Sequence, residues 1–143
     1  GPFFQGPAAP VAPGASWPVS ETFKMGEMGT VSINIKNTFT GMEMKDGLDC
    51  ARIDYSGTLG MAMNMAKTGT PAGVSMTVKD GKVSGKHYLD IKNARLQESA
   101  TTTVMKMDMT MPNPMGQDGS SMAMTMDMTM NQVTKLARVE KTK

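Results

Sequence analysis

The sequence predicts an all-β protein: a curved antiparallel sheet, β-sandwich or half-barrel of about seven or eight strands, behind an extended proline-rich N-terminal arm. Three observations carry this. Nine of the 18 methionines in the 143 residues fall in two runs of strict alternation. Asp/Gly pairs stand between alternating segments at Asp46-Gly47 and Asp80-Gly81, the turn chemistry of hairpins. No segment has a 3.6-residue apolar period, so no helix competes.

The methionine runs are Met105, Met107, Met109 and Met111, then Met122, Met124, Met126, Met128 and Met130. A strand has a side-chain period of two, so each run sets its thioethers on one face and mostly polar residues on the other. A helix would scatter them around its circumference. Pro112 to Ser121, with two prolines and two glycines, joins the runs. It cannot continue a strand, because proline lacks the N–H donor. The two runs are therefore expected to form one antiparallel hairpin with coincident, buried methionine faces.

The remaining elements follow in order. Residues 1–19 read as an arm in which Pro2, Pro7, Pro10, Pro13 and Pro18 favour extended backbone. Phe3, Phe4 and Trp17 are its natural anchors, on a neighbour or on the chain itself. Residues 20–143 read as the β domain. Thr30 to Phe39 alternates, with Val31, Ile33, Ile35 and Phe39 on one face. The register flips at Gly41, which predicts a bulge. Asp46-Gly47 turns the chain into Ala51, Ile53 and Tyr55, followed by Leu59, Met61, Met63 and Met65. Val74 to Val78 is a further strand, and Asp80-Gly81 is expected to be a second hairpin turn into Val83 to Leu89. Asp90 to Arg95 is a turn, Leu96 opens the strand that carries the first methionine run, and Val133 to Val139 reads as a last strand.

Composition narrows the function. Fifteen basic and 13 acidic residues give a net charge of +2, mixed along the chain without a basic stripe, which argues against nucleic acid. No apolar run approaches the roughly 20 residues of a membrane-spanning helix. Cys50 is the only cysteine, so no intramolecular disulfide forms. Its first reading is a small buried apolar residue, ahead of an intermolecular bridge or a copper ligand. His87 is also alone and lies in a strand-like stretch. There is no phosphate-cradling glycine loop, no His/Cys metal cluster and no Ser-His-Asp set. Asp108 and Asp127 fall on the polar faces of the methionine strands, as solvated positions do. The expectation is a non-enzymatic protein.

Three segments resemble an uncharacterised family of exported bacterial β-proteins: Pro10-Val-Ala-Pro-Gly-Ala-Ser-Trp17, Phe39 to Tyr55 with its Asp-Gly turn and Cys50, and Gly85 to Leu96 with Tyr88-Leu-Asp90. In the third, the family's usual turn glycine is replaced by Asn93 or Ala94. The resemblance implies export to the periplasm, cell surface or medium, and a curved sheet distantly like lipoprotein-carrier half-barrels. It also implies that the chain is the C-terminal half of a longer precursor. It carries over no catalytic residue.

The methionine face has three readings. Packing comes first, because the flexible thioether fills irregular gaps. A cavity for an apolar ligand follows. Third is a Cu(I) or Ag(I) site built from Met105 to Met111 and Met122 to Met130, since soft thioethers suit soft ions. No other cofactor is expected. The sequence thus reads first as an exported structural or assembly subunit whose arm docks on a second copy or a protein partner. The alternative is a binding module for an apolar ligand or Cu(I).

Overall fold

The computed structural model describes residues 11–64, 73–113, 115 and 119–135. They form β1 (Ser16–Lys24), β2 (Gly29–Lys45), β3 (Leu48–Asn64), β4 (Ser75–Asp90), β5 (Arg95–Pro112) and β6 (Ser121–Lys135). The six strands make one sheet in sequence order, every neighbour antiparallel. The all-β antiparallel expectation holds. Six strands replace seven or eight, and the described residues contain no second sheet that would make a sandwich.

Two mergers lower the count, and β1, which the sequence pattern did not reveal, raises it by one. Asp80-Gly81 is not a hairpin turn. Lys79 and Lys82, on either side of it, stay paired to Lys106 and Val104 of β5, so the dipeptide is a bulge inside β4. Asp80 takes φ 53° there, a left-handed conformation that Asp tolerates. The local chemistry of a turn and of a bulge is the same. The neighbouring strands decide, because both run on past this point and would lose their partner if β4 turned back. Second, Val133 does not open a new strand; it continues β6 from the second methionine run.

The other turns fall as the sequence predicts. Asp46 (φ 52°) and Gly47 (φ 78°) are both left-handed, the type I′ geometry of a two-residue hairpin. The β2 register shifts between Phe39 and Gly41. Ala94, in the turn between β4 and β5, adopts φ 50°. Trp17, Pro18 and Val19, read from the sequence as part of the arm, belong to β1. Pro18 is tolerated there because β1 is an edge strand. Phe3 and Phe4 lie outside the described residues.

One face of the sheet carries Val19 on β1, Ile33 and Ile35 on β2, Ile53 and Tyr55 on β3, and Val83 and His87 on β4. All are buried. The other face is polar: Ser20 stands opposite Asn34, while Lys36, Ser56 and Ser84 form one row and Thr38, Asp54 and Lys86 the next. Strands β2 and β3 outrun β4, since Cys50 pairs with Asp90, the last residue of β4. The projecting hairpin bends across the sheet. Its turn residue Asp46 reaches Lys135 of β6 at 3.0 Å and Gln97 of β5 at 3.4 Å, and Lys45 meets Glu98 at 2.9 Å. Cys50 is fully buried near this fold-back, and burial raises its thiol pKa, so it behaves as a packing residue.

Candidate functional site

The two methionine runs pair as expected. Met105, Met107, Met109 and Met111 of β5 stand opposite Met128, Met126, Met124 and Met122 of β6. Met130 instead faces Thr103. Burial differs between the strands, which overturns the expectation of a buried face on both. Met105 is 9% exposed, whereas Met122, Met124, Met126 and Met130 are 37–47% exposed. The cause is position. β5 is flanked on both sides, and Met105 sits opposite the β4 bulge, while β6 is the sheet edge.

Register also recruits residues that the sequence reading left out of the methionine face. Met63, Met76, Met109 and Met124 form one transverse row across four strands, and Met61, Val78, Met107 and Met126 form the next. Their alternation within β3 and β4 was visible in the sequence. Their alignment with the two runs was not.

Beyond these rows the same face encloses a hollow of about 480 Å³, within the roughly 300–1,000 Å³ of small-molecule sites. Its apolar side is Val31, Ile33, Ile35, Leu59 and Met61; its polar side is Tyr55, His87, Ser99, Thr101 and Gln132. Two glycines shape it. Gly57 lies between Ile35 and Val83, and Gly85 between Tyr55 and Thr101, in the transverse rows. A Cβ at Gly57 would stand 1.9 Å from the Asn34 carbonyl oxygen. At Gly85 it would stand 2.1 Å from the Ala100 carbonyl oxygen and 2.7 Å from the Tyr55 hydroxyl. The bare positions let the sheet close inward, and Tyr55 lies over Gly85 to hydrogen-bond Thr101, skipping β4.

Tyr55 also stacks on His87, with ring centroids 4.6 Å apart and planes 13° from parallel. His87 Nδ1 and Ser99 Oγ are 2.9 Å apart. Asn37, 1% exposed and paired in register with Tyr55, has an Nδ2 without a hydrogen-bond partner. The polar side thus holds hydroxyls and a neutral imidazole; the Asn37 donor is next to it in the sheet and outside its lining. Burial pushes the His87 pKa down to about 4. Among the described residues no group of three or more His, Cys, Asp and Glu converges as for a metal ion, and no helix is long and apolar enough to cross a membrane. Asp108 accepts a bond from Thr125 at 2.9 Å on the polar face, and Asp127 pairs in register with Lys106.

The His87 environment makes stability depend on pH. An unfolded chain protonates this imidazole below about 6.5, but the folded protein resists until about 4. In that window the unfolded state binds more protons. Stability should therefore fall by on the order of 2–3 kcal/mol as pH drops from 6.5 to 4. Urea unfolding across this range checks it, and His87→Gln should flatten the slope. Below that window Asp90, whose carboxyl is held low by Asn93 and Arg95, and Asp46, held low by Lys135, add losses of their own.

No protein family matches this chain, and no curated protein or solved structure is significantly similar to it.

Proposed function

We propose that this domain is a non-enzymatic, exported binding module whose curved sheet takes an apolar ligand, with one hydrogen-bond-accepting end lodged at Tyr55, His87, Ser99 and Thr101. The observation that carries the reading is the two-sided hollow. Aliphatic side chains line one side, and the hydroxyls of Tyr55, Ser99 and Thr101 with the His87 imidazole line the other. A carbonyl or carboxyl group of a ligand would accept hydrogen bonds from the hydroxyls on that side. Export rests on the family resemblance in the sequence.

Catalysis is the weaker reading even though Ser99 and His87 meet. An imidazole with a pKa near 4 is a poor general base at neutral pH, and both residues are buried. The assembly reading rested on residues 1–19, of which Phe3 and Phe4 lie outside the described residues and Trp17 is half-buried on β1. The soft-metal reading keeps one specific support: the transverse row Met63, Met76, Met109 and Met124 lines up more thioethers than either run alone supplies. Anaerobic Cu(I) titration tests it, and a Cu(I)-dependent rise in melting temperature supports it.

The ligand reading is tested by titrating the protein with a fluorescent palmitate analogue. Thr103→Phe projects a ring into the hollow and should weaken binding by about tenfold, the effect of ~1.4 kcal/mol. Thr58→Phe, exposed on the polar face, should leave it unchanged. Binding that is absent, or unaffected by Thr103→Phe, removes the proposal.

A further inference from the structure

The two edges of this sheet are built differently. β1 has nine residues and carries Pro18, Glu21 and Lys24, the proline and charges by which edge strands resist pairing. β6 has 15 residues and no proline. It pairs with β5 from Lys135 to Ser121 without a bulge. Between Ser121 and Thr134 it has a single charge, Asp127. All its residues but Met128 are exposed, and among the described residues no strand pairs with its outer edge. A long, straight, nearly uncharged edge is a template for another strand.

We infer that β6 pairs edge to edge, antiparallel, with β6 of a second copy, extending the sheet through a twofold axis at Met126. The sequence of β6 selects this register. Antiparallel neighbours on one face must oppose like parity, or every side chain changes face. Centring on Asp127 would place two carboxylates opposite each other, a destabilising arrangement. Centring on Met126 maps the methionine run onto itself: Met122 faces Met130 of the other copy, Met124 faces Met128, and Met126 faces its own counterpart. No other register opposes all five to methionine. Asp127 then faces the neutral Thr125. The thioethers left 37–47% exposed at this edge become the centre of a continuous band running into both sheets.

The same register places Ala123 opposite Thr129 on the polar face, and it supplies the test. The variant A123K/T129K sets lysine against lysine twice across the axis. The variant A123K/T129E sets lysine against glutamate twice. Sedimentation velocity is run on the full chain at high micromolar concentration, with far-UV circular dichroism on each variant to verify the fold. Wild type and A123K/T129E should sediment as dimers, and A123K/T129K as a monomer, with the same β spectrum. The charge-reversed variant A123E/T129E, monomeric alone, should form a dimer when mixed with A123K/T129K. Any of three results overturns the inference: a monomeric wild type, a dimer in which both doubly substituted variants behave alike, or larger species that the substitutions leave intact.

Discussion

Replacing Gly85 with alanine should destabilise the protein by roughly 3 kcal/mol, at the upper end of what overpacking a core costs. The added Cβ meets the Ala100 carbonyl oxygen at 2.1 Å, which is backbone and cannot rotate away, and the Tyr55 hydroxyl at 2.7 Å. Relief requires the β4–β5 pair to open and Tyr55 to release Thr101. Gly60→Ala is the matched control. It too adds a methyl group in mid-sheet, but its nearest neighbour is the Val78 carbonyl oxygen at 4.0 Å, so its effect should stay within about 0.5 kcal/mol. Urea titrations of the two variants read the difference. In a Tyr55→Leu background the Gly85→Ala cost should shrink, because the clashes with the Tyr55 hydroxyl and with its ring Cζ at 2.8 Å are both gone, and such non-additivity is the signature of direct contact.

Truncating methionines should separate the two strands that the sequence treats alike. Met105→Ala should cost about 2–4 kcal/mol, because the residue is 9% exposed and its loss leaves a cavity. Met126→Ala should cost about 1 kcal/mol or less in the monomer, because 43% of that side chain is already in water. Met105→Leu keeps the volume and should cost under about 1.5 kcal/mol. Chemical denaturation of dilute protein measures all three. Equal, large losses at Met105 and Met126 would show that the face over β6 is covered in solution.

Period-two alternation was enough to place the two methionine strands, their hairpin and the facing of their side chains, because strand geometry is a local property. The Asp46-Gly47 turn and the Gly41 bulge were legible for the same reason. Asp80-Gly81 was not, since a left-handed Asp followed by Gly serves a turn and a bulge equally, and β3 and β5 decide between them. The hollow was hidden for a related reason. It depends on Tyr55 reaching Thr101, 46 residues away, and on Gly57 and Gly85 lying bare in adjacent rows, facts of register between strands. The sequence also reports which residues share a face without reporting whether that face is covered. Met105 and Met126 have the same pattern and different burial because one strand is interior and the other is an edge.

The most direct test of the ligand-binding account is an NMR titration of protein labelled with ¹³C at the methionine ε-methyl groups, with palmitate as the probe. Met61 lines the hollow, whereas Met115 is 88% exposed in the β5–β6 connection. A saturable shift of the Met61 methyl, with Met115 unmoved, is the predicted result. Shifts of similar size at both methyls, or no saturable shift at Met61, would contradict it.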